Sequence, residues 1–128
     1  MPIRVVRLGG PRIDGEGLRI GTVRRPPRGV PKSEYASRQF FDLWLPDLAP
    51  SEALVKVALA AVSEAQWRSF SRRYRAELAS PEKRRLLDLL AALSRSTSFS
   101  VGCYCADDSR CHRSILRELL AERGAMIE

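Results

Sequence analysis

With 128 residues, 45% of them hydrophobic, the chain has the length of one domain (residues 1–128) and enough apolar side chains to bury a core unaided by metal or disulfides. No apolar run approaches the ~18 residues of a membrane span, the N-terminal IRVVRLGG is too short and too basic for a secretory signal, and three clustered cysteines do not suit a secreted disulfide framework. A cytoplasmic protein with reduced thiols and no membrane contact is expected. The net charge of +7 is uneven: residues 1–38 hold nine Lys/Arg against three Asp/Glu (+6), and residues 39–128 hold thirteen against twelve (+1). Such a cationic third suits an anionic partner, either a small phosphate or carboxylate ligand or nucleic acid, and equally a plain solubilising excess.

Ile3 to Leu8 alternates weakly and suits a strand, broken by Gly9-Gly10-Pro11. Leu18 to Val23 is a second strand candidate, with Leu18, Ile20 and Thr22 on one side. RRPPRGVPK at 24–32 follows it directly. Pro26, Pro27 and Pro31 forbid helix and sheet interior alike. Arg24, Arg25, Arg28 and Lys32 therefore decorate an extended loop at the end of a strand, where open α/β sheets bind ligands. Phe40, Phe41, Leu43, Trp44 and Leu45 form an apolar patch that fits a buried strand or a short helical segment, with Phe41 and Trp44 read as core.

Three helices are then predicted. Ser51 caps one running to about Val62. Ser63 to Gln66 is a capping box opening a second, to about Leu78, with Trp67, Phe70, Tyr74 and Leu78 on its inner stripe. Ser80-Pro81 starts a third, to about Leu93, with Leu86, Leu89, Leu90 and Leu93 toward the core.

All three cysteines and the single histidine fall in FSVGCYCADDSRCHRSILRELL at 99–120. Phe99, Val101, Cys103 and Cys105 alternate along a predicted strand. Gly102 lets a backbone or a ligand approach closely. Asp107 or Asp108 is the expected cap of a final helix, which places Cys111, His112 and Arg113 in its first turns. Gly124 is the expected stop, and Ala125 to Ile127 suits a short last strand. A strand, a polar loop and a helix N-terminus together favour anions, because free N–H groups and the helix dipole point into the loop.

The segments RIGTVRRPPRGV at 19–30, FDLWLPDLAPSEAL at 41–54, FSRRYRAEL at 70–78 and CHRSILRELL at 111–120 run in an order that resembles the YeaO-like family of bacterial domains of unknown function. The resemblance covers nearly the whole chain. It implies an intracellular α/β domain and brings no reaction with it. Family members often carry Trp in the basic loop, where Pro26 or Pro27 stands here, so an aromatic stacking role is not carried over.

The expected fold is a single α/β domain, a small and mainly parallel sheet flanked by about four helices, with a polar cleft at the carboxyl ends of the strands. The leading reading is an anion-binding domain, with Arg24, Arg25, Arg28 and Arg113 as ligand-binding residues and His112 and Cys111 as catalytic candidates. Arg113 and Arg28 are expected to converge on one anion. A non-catalytic nucleic-acid-binding module, weak and salt-sensitive, is the alternative from another class. Thiol or zinc chemistry at Cys103, Cys105, Cys111 and His112 is the third, against the plain reading of the cysteines as small buried hydrophobes. Their spacing, C-x-C-x5-C-H, is not that of a familiar finger, and adjacent helical residues diverge by about 100°. No metal and no other cofactor is therefore expected. The phosphatase-type loop of a Cys followed six residues later by Arg does not fit, since Ser109 and Cys111 occupy those positions.

Overall fold

The computed structural model describes residues 2–105 and 111–128. Strands β1 (Ile3–Arg7), β2 (Leu18–Gly21), β3 (Leu43–Trp44) and β4 (Phe99–Cys103) form one sheet in the order β1-β4-β2-β3, and every pairing is parallel. Helices α1 (Glu52–Ala60), α2 (Glu64–Glu77), α3 (Pro81–Leu93) and α4 (His112–Glu122) complete the α/β domain. None of the helices is long and apolar enough to cross a membrane.

Local chemistry sets most of these boundaries. The Ser51 hydroxyl accepts from the Leu54 N–H at 3.3 Å at the start of α1. The Ser63–Gln66 box is closed in both directions at the start of α2. Pro81 occupies the first turn of α3, where a missing N–H leaves nothing unsatisfied. Gly124, at φ +77°, ends α4 in a Schellman motif. Its N–H donates to Ala121 at 3.0 Å and that of Ala125 to Leu120 at 3.1 Å.

Strand β4 lies between β1 and β2, and all five of its residues are buried, as a central parallel strand requires. Gly102 answers to backbone rather than ligand: a Cβ there would stand 2.5 Å from the Val6 carbonyl oxygen of β1. One face carries the main core, where Ile3, Ile20, Phe99 and Val101 meet Leu54, Phe70, Tyr74, Leu87 and Leu116. A second cluster joins Leu8, Val23, Phe41, Cys103 and Cys111.

Several sequence expectations shift. Helix α1 ends at Ala60, two residues early, and β4 ends at Cys103 rather than Cys105. Helix α3 is rotated: Leu87, Leu90 and Ala91 are buried, whereas Leu89 and Leu93 are exposed. The run Leu86-Leu87-Asp88-Leu89-Leu90 offers two leucine stripes, and packing selects the one through Leu87. Residues 41–45 contribute only the two-residue β3. Phe41 is core as expected, but Trp44 is 40% exposed, its indole N–H donating to the Val23 carbonyl at 2.7 Å. The final strand reduces to a single bridge between Ile127 and Ile3. The expected caps Asp107 and Asp108 lie outside the described residues.

Candidate functional site

Because β2 and β4 are parallel neighbours, the segments that follow them emerge side by side. A cavity of about 440 Å³ opens there. Val23, Arg24 and Arg25 line it from the end of β2, and Cys103, Tyr104 and Cys105 from the end of β4. Val55, Lys56 and Leu59 of α1 close one side, and Cys111 and His112 form part of its lining at the start of α4.

The start of α4 departs from the sequence expectation in a way that matters. Cys111 is not in the first turn but is the N-cap, with extended φ −132° and ψ 148°, and His112 is the first helical residue. The ~100° divergence of neighbouring helical side chains therefore does not apply to this pair. The sulfurs of Cys103 and Cys111 are in contact. His112 Nδ1 stands 3.9 Å from Cys111 Sγ, and the ligand atoms of Cys103, Cys111 and His112 all lie within 4.8 Å of one another.

The imidazole is oriented by the neighbouring strand. His112 Nε2 lies 2.7 Å from the Thr22 carbonyl oxygen. A carbonyl can only accept, so Nε2 carries the proton and Nδ1 presents its lone pair toward the cysteines. Thr22 is itself held, its N–H and its hydroxyl both donating to the Gly102 carbonyl at 3.0 Å. The Tyr74 ring packs on the imidazole in a T-shaped contact, with the ring centres 5.6 Å apart. Burial, helped by the Arg113 charge and opposed by the Thr22 bond, pushes the His112 pKa down to about 4. The ring is neutral at physiological pH.

The predicted arginines separate into two groups. Arg24 and Arg25 line the cavity with Cys111 and His112; Arg28 and Arg113 are not part of that lining. Arg24 is anchored through Nε to the Pro50 carbonyl at 3.0 Å and through Nη2 to Ala49 at 3.1 Å. Carbonyl dipoles fix this side chain without cancelling its charge. Arg25 pairs with Glu52 at the rim, and both side chains are largely exposed. Arg28 is exposed on the loop, while Arg113 is buried on α4, 4% exposed. Cys105 is exposed and lines the cavity apart from the other two sulfurs.

Three contributors escaped sequence reasoning. The Thr22 carbonyl is backbone and leaves no signature in side-chain types. Lys56 reads as the solvent side of α1, yet it lines the cavity. Tyr104 ties the two loops together, its hydroxyl donating to the Arg25 carbonyl at 3.0 Å, and burial raises its pKa to about 12. The signal available for Tyr104 was an aromatic between two cysteines at a strand end.

Neither the curated proteins nor the solved structures include a match to this chain. A family model described as the active DUF488-N3 subclade matches residues 3–124. YeaO is itself a DUF488 member, in agreement with the motif order at 19–30, 41–54, 70–78 and 111–120. The chain belongs to the DUF488-N3a family, a DUF488 family of unknown function.

Proposed function

We propose that the protein binds a small organic anion in this cleft and presents it to the Cys103, Cys111 and His112 cluster at its floor. The observation that carries the reading is the shared lining: Arg24 and Arg25, the latter exposed, line the same cavity as the buried Cys111 and as His112. Much of the remaining lining is apolar, with Val23, Val55 and Leu59 among it, which suits an anionic head on an apolar body better than bare phosphate. The exposed Arg25–Glu52 pair is held weakly enough for a ligand anion to displace the carboxylate.

Charge distribution also favours a pocket over a broad nucleic-acid face. Arg4, Arg12, Arg19, Arg25 and Arg38 each pair with a carboxylate of the same chain. Nucleic acid should therefore bind weakly and lose affinity steeply with salt. A second reading has its own observation: Nδ1 of His112, with its partner nitrogen fixed by Thr22, faces the Cys111 sulfur at 3.9 Å. That is the arrangement of a thiol nucleophile beside an oriented base.

Calorimetric titration with phenyl phosphate and inorganic phosphate tests the main reading. Phenyl phosphate should bind more tightly. Arg25→Ala and Arg24→Ala should each weaken it about tenfold, the loss of one charge-assisted contact. Arg28→Ala, outside the lining, should leave it unchanged. Equal affinity of all four proteins would end the proposal.

A further inference from the structure

We propose that Cys103, Cys111 and His112 hold a zinc ion at the floor of the cleft, with the fourth coordination position open to the cavity. Two thiolates and an imidazole are a borderline-soft donor set that selects zinc over the hard cations. In a tetrahedral site, with Zn–S ~2.3 Å and Zn–N ~2.0 Å, donor atoms stand roughly 3.5–3.8 Å apart. The 3.9 Å between Cys111 Sγ and His112 Nδ1, within a cluster whose donor atoms span no more than 4.8 Å, is close to that requirement.

The backbone spacing points the same way. The Cα atoms of Cys103 and Cys111 are 7.9 Å apart. A relaxed disulfide spans ~4.4–6.8 Å between Cα atoms, and this spacing is wider. Two thiolates on one zinc suit the wider spacing, with the sulfurs parting from contact to admit the ion. Cys111 is extended at the N-cap rather than helical, and its sulfur stands 3.9 Å from Nδ1 of the residue that follows.

The surroundings supply what a metal ligand set requires. A ligating imidazole is ordinarily fixed by a hydrogen bond from its other nitrogen, and His112 Nε2–H has the Thr22 carbonyl. The Cys111 thiolate lies at the N-terminal end of α4, where the peptide N–H groups favour negative charge. Two thiolates neutralise the divalent ion, so the buried cluster carries no net charge and leaves Arg24 and Arg25 to the anion. Three protein ligands with one open position is the arrangement of catalytic rather than structural zinc. A metal-held Cys111 is not a free nucleophile, so this inference competes with the thiol reading. The placing of an anion at the open position rests on the anion-binding reading; the metal site itself does not.

The test is a titration of the reduced, chelator-stripped protein with Zn²⁺, and with Co²⁺ as the visible probe. One equivalent should bind, and cobalt should show thiolate charge-transfer absorption with the strong visible bands of a tetrahedral site. Cys103→Ser and Cys111→Ser should abolish that charge-transfer pattern, His112→Ala should weaken binding at least tenfold, and Cys105→Ser should change neither. In case the serine variants misfold, the wild type provides a second readout: Zn²⁺ should protect Cys103 and Cys111 from alkylation while Cys105 still reacts. Sub-stoichiometric binding, alkylation of Cys103 and Cys111 in the presence of Zn²⁺, or loss of binding with Cys105→Ser would each overturn the site. Phenyl phosphate titrated into the stripped and zinc-loaded forms separates the two proposals. Stoichiometric zinc with no phenyl phosphate binding supports the metal site and overturns the anion reading. Phenyl phosphate binding without stoichiometric zinc does the reverse.

Discussion

Strands β2 and β4 carry a polar cluster at each end, and the two clusters are built on opposite terms. Near the amino ends, Arg19 is 1% exposed and all five of its guanidinium N–H groups are used. Nε and Nη2 donate to Glu16 at 2.8 and 3.0 Å, Nη1 to the Gly10 and Gln39 carbonyls at 2.8 Å, and Nη2 also to Pro11 at 3.3 Å. Ser100 donates to the same Glu16 at 3.0 Å, and Asp42 accepts from the Arg19 N–H and from both Arg12 Nη atoms. Near the carboxyl ends, Cys103, Cys111 and His112 face a cavity, and the arginines beside them are held by carbonyls or by an exposed pair. A polar cluster closed on itself fixes the chain; one left open to a cavity is available to a ligand. Burial of a charged residue does not by itself mark a site, since the most buried arginine among the described residues belongs to the closed cluster.

Breaking the closed end should have the largest effect. Arg19→Ala leaves the Glu16 carboxylate buried without its counter-charge, and such changes cost about 3–5 kcal/mol. Burial opposes ionisation of Glu16, but the Arg19 and Ser100 hydrogen bonds outweigh it and its pKa is lowered. Urea denaturation of Arg19→Ala should show most of the stability gone, and Ser100→Ala a loss of only about 1 kcal/mol. Arg19→Ala within 1 kcal/mol of wild type would mean that the cluster does not hold the sheet.

The two ends also differed in how far the sequence revealed them. Helix starts were legible at Ser51, Ser63 and Pro81, because a cap is a local interaction over three or four residues. The parallel sheet was legible too, and with it the meeting of the Arg24–Arg25 loop with the start of α4. Arg19 was not: alternation places it on the side opposite Leu18, Ile20 and Thr22, and a charged residue there reads as solvent-facing. Its partners come from residues 10, 11, 16 and 39, and no local pattern announces them. The cluster at the other end was half legible. The cysteines and His112 drew notice by their crowding, but their convergence depended on α4 starting one residue after Cys111 and on the Thr22 carbonyl. Both are consequences of backbone placement.

Protonation probes the open end with a smaller effect. The His112 pKa is depressed to about 4 in the folded protein, against 6.5 for an unperturbed imidazole. Between those values the unfolded chain binds the extra proton and the folded one does not, so stability falls as pH falls. In the metal-free protein the contribution should be intact above pH ~6.5 and decline toward pH ~4, by on the order of 3 kcal/mol. Glu16 and Asp42, whose pKa values are lowered, weaken the fold at still more acid pH. His112→Gln should remove the part between about 6.5 and 4 and keep the rest. Denaturation midpoints of both proteins across pH measure the difference, and parallel curves would show that the imidazole is not desolvated. A further step down, Ser63→Ala should cost about 1 kcal/mol by opening the α2 capping box, with phenyl phosphate affinity unchanged.

The smallest expected effect on stability bears most directly on the comparison. Arg19 and Arg25 are both paired with a glutamate, but the side chain of Arg25 is 72% exposed and that of Glu52 61%. Water and salt screen such a pair, and ordering two long side chains offsets much of the attraction. Arg25→Ala should therefore shift the denaturation midpoint by less than about 1 kcal/mol, whereas Arg19→Ala removes several. For ligand binding the order should invert, since Arg25→Ala weakens phenyl phosphate about tenfold in a protein that is otherwise intact. Glu52→Gln sharpens the point. It frees Arg25 from its only described carboxylate, so a competing anion is removed and phenyl phosphate should bind as tightly as in wild type or somewhat more tightly. If Glu52→Gln weakens the ligand as much as Arg25→Ala does, the pair acts as a structural strut at the rim. The carboxyl ends of the strands would then be closed like the amino ends, and the distinction between the two clusters would fail.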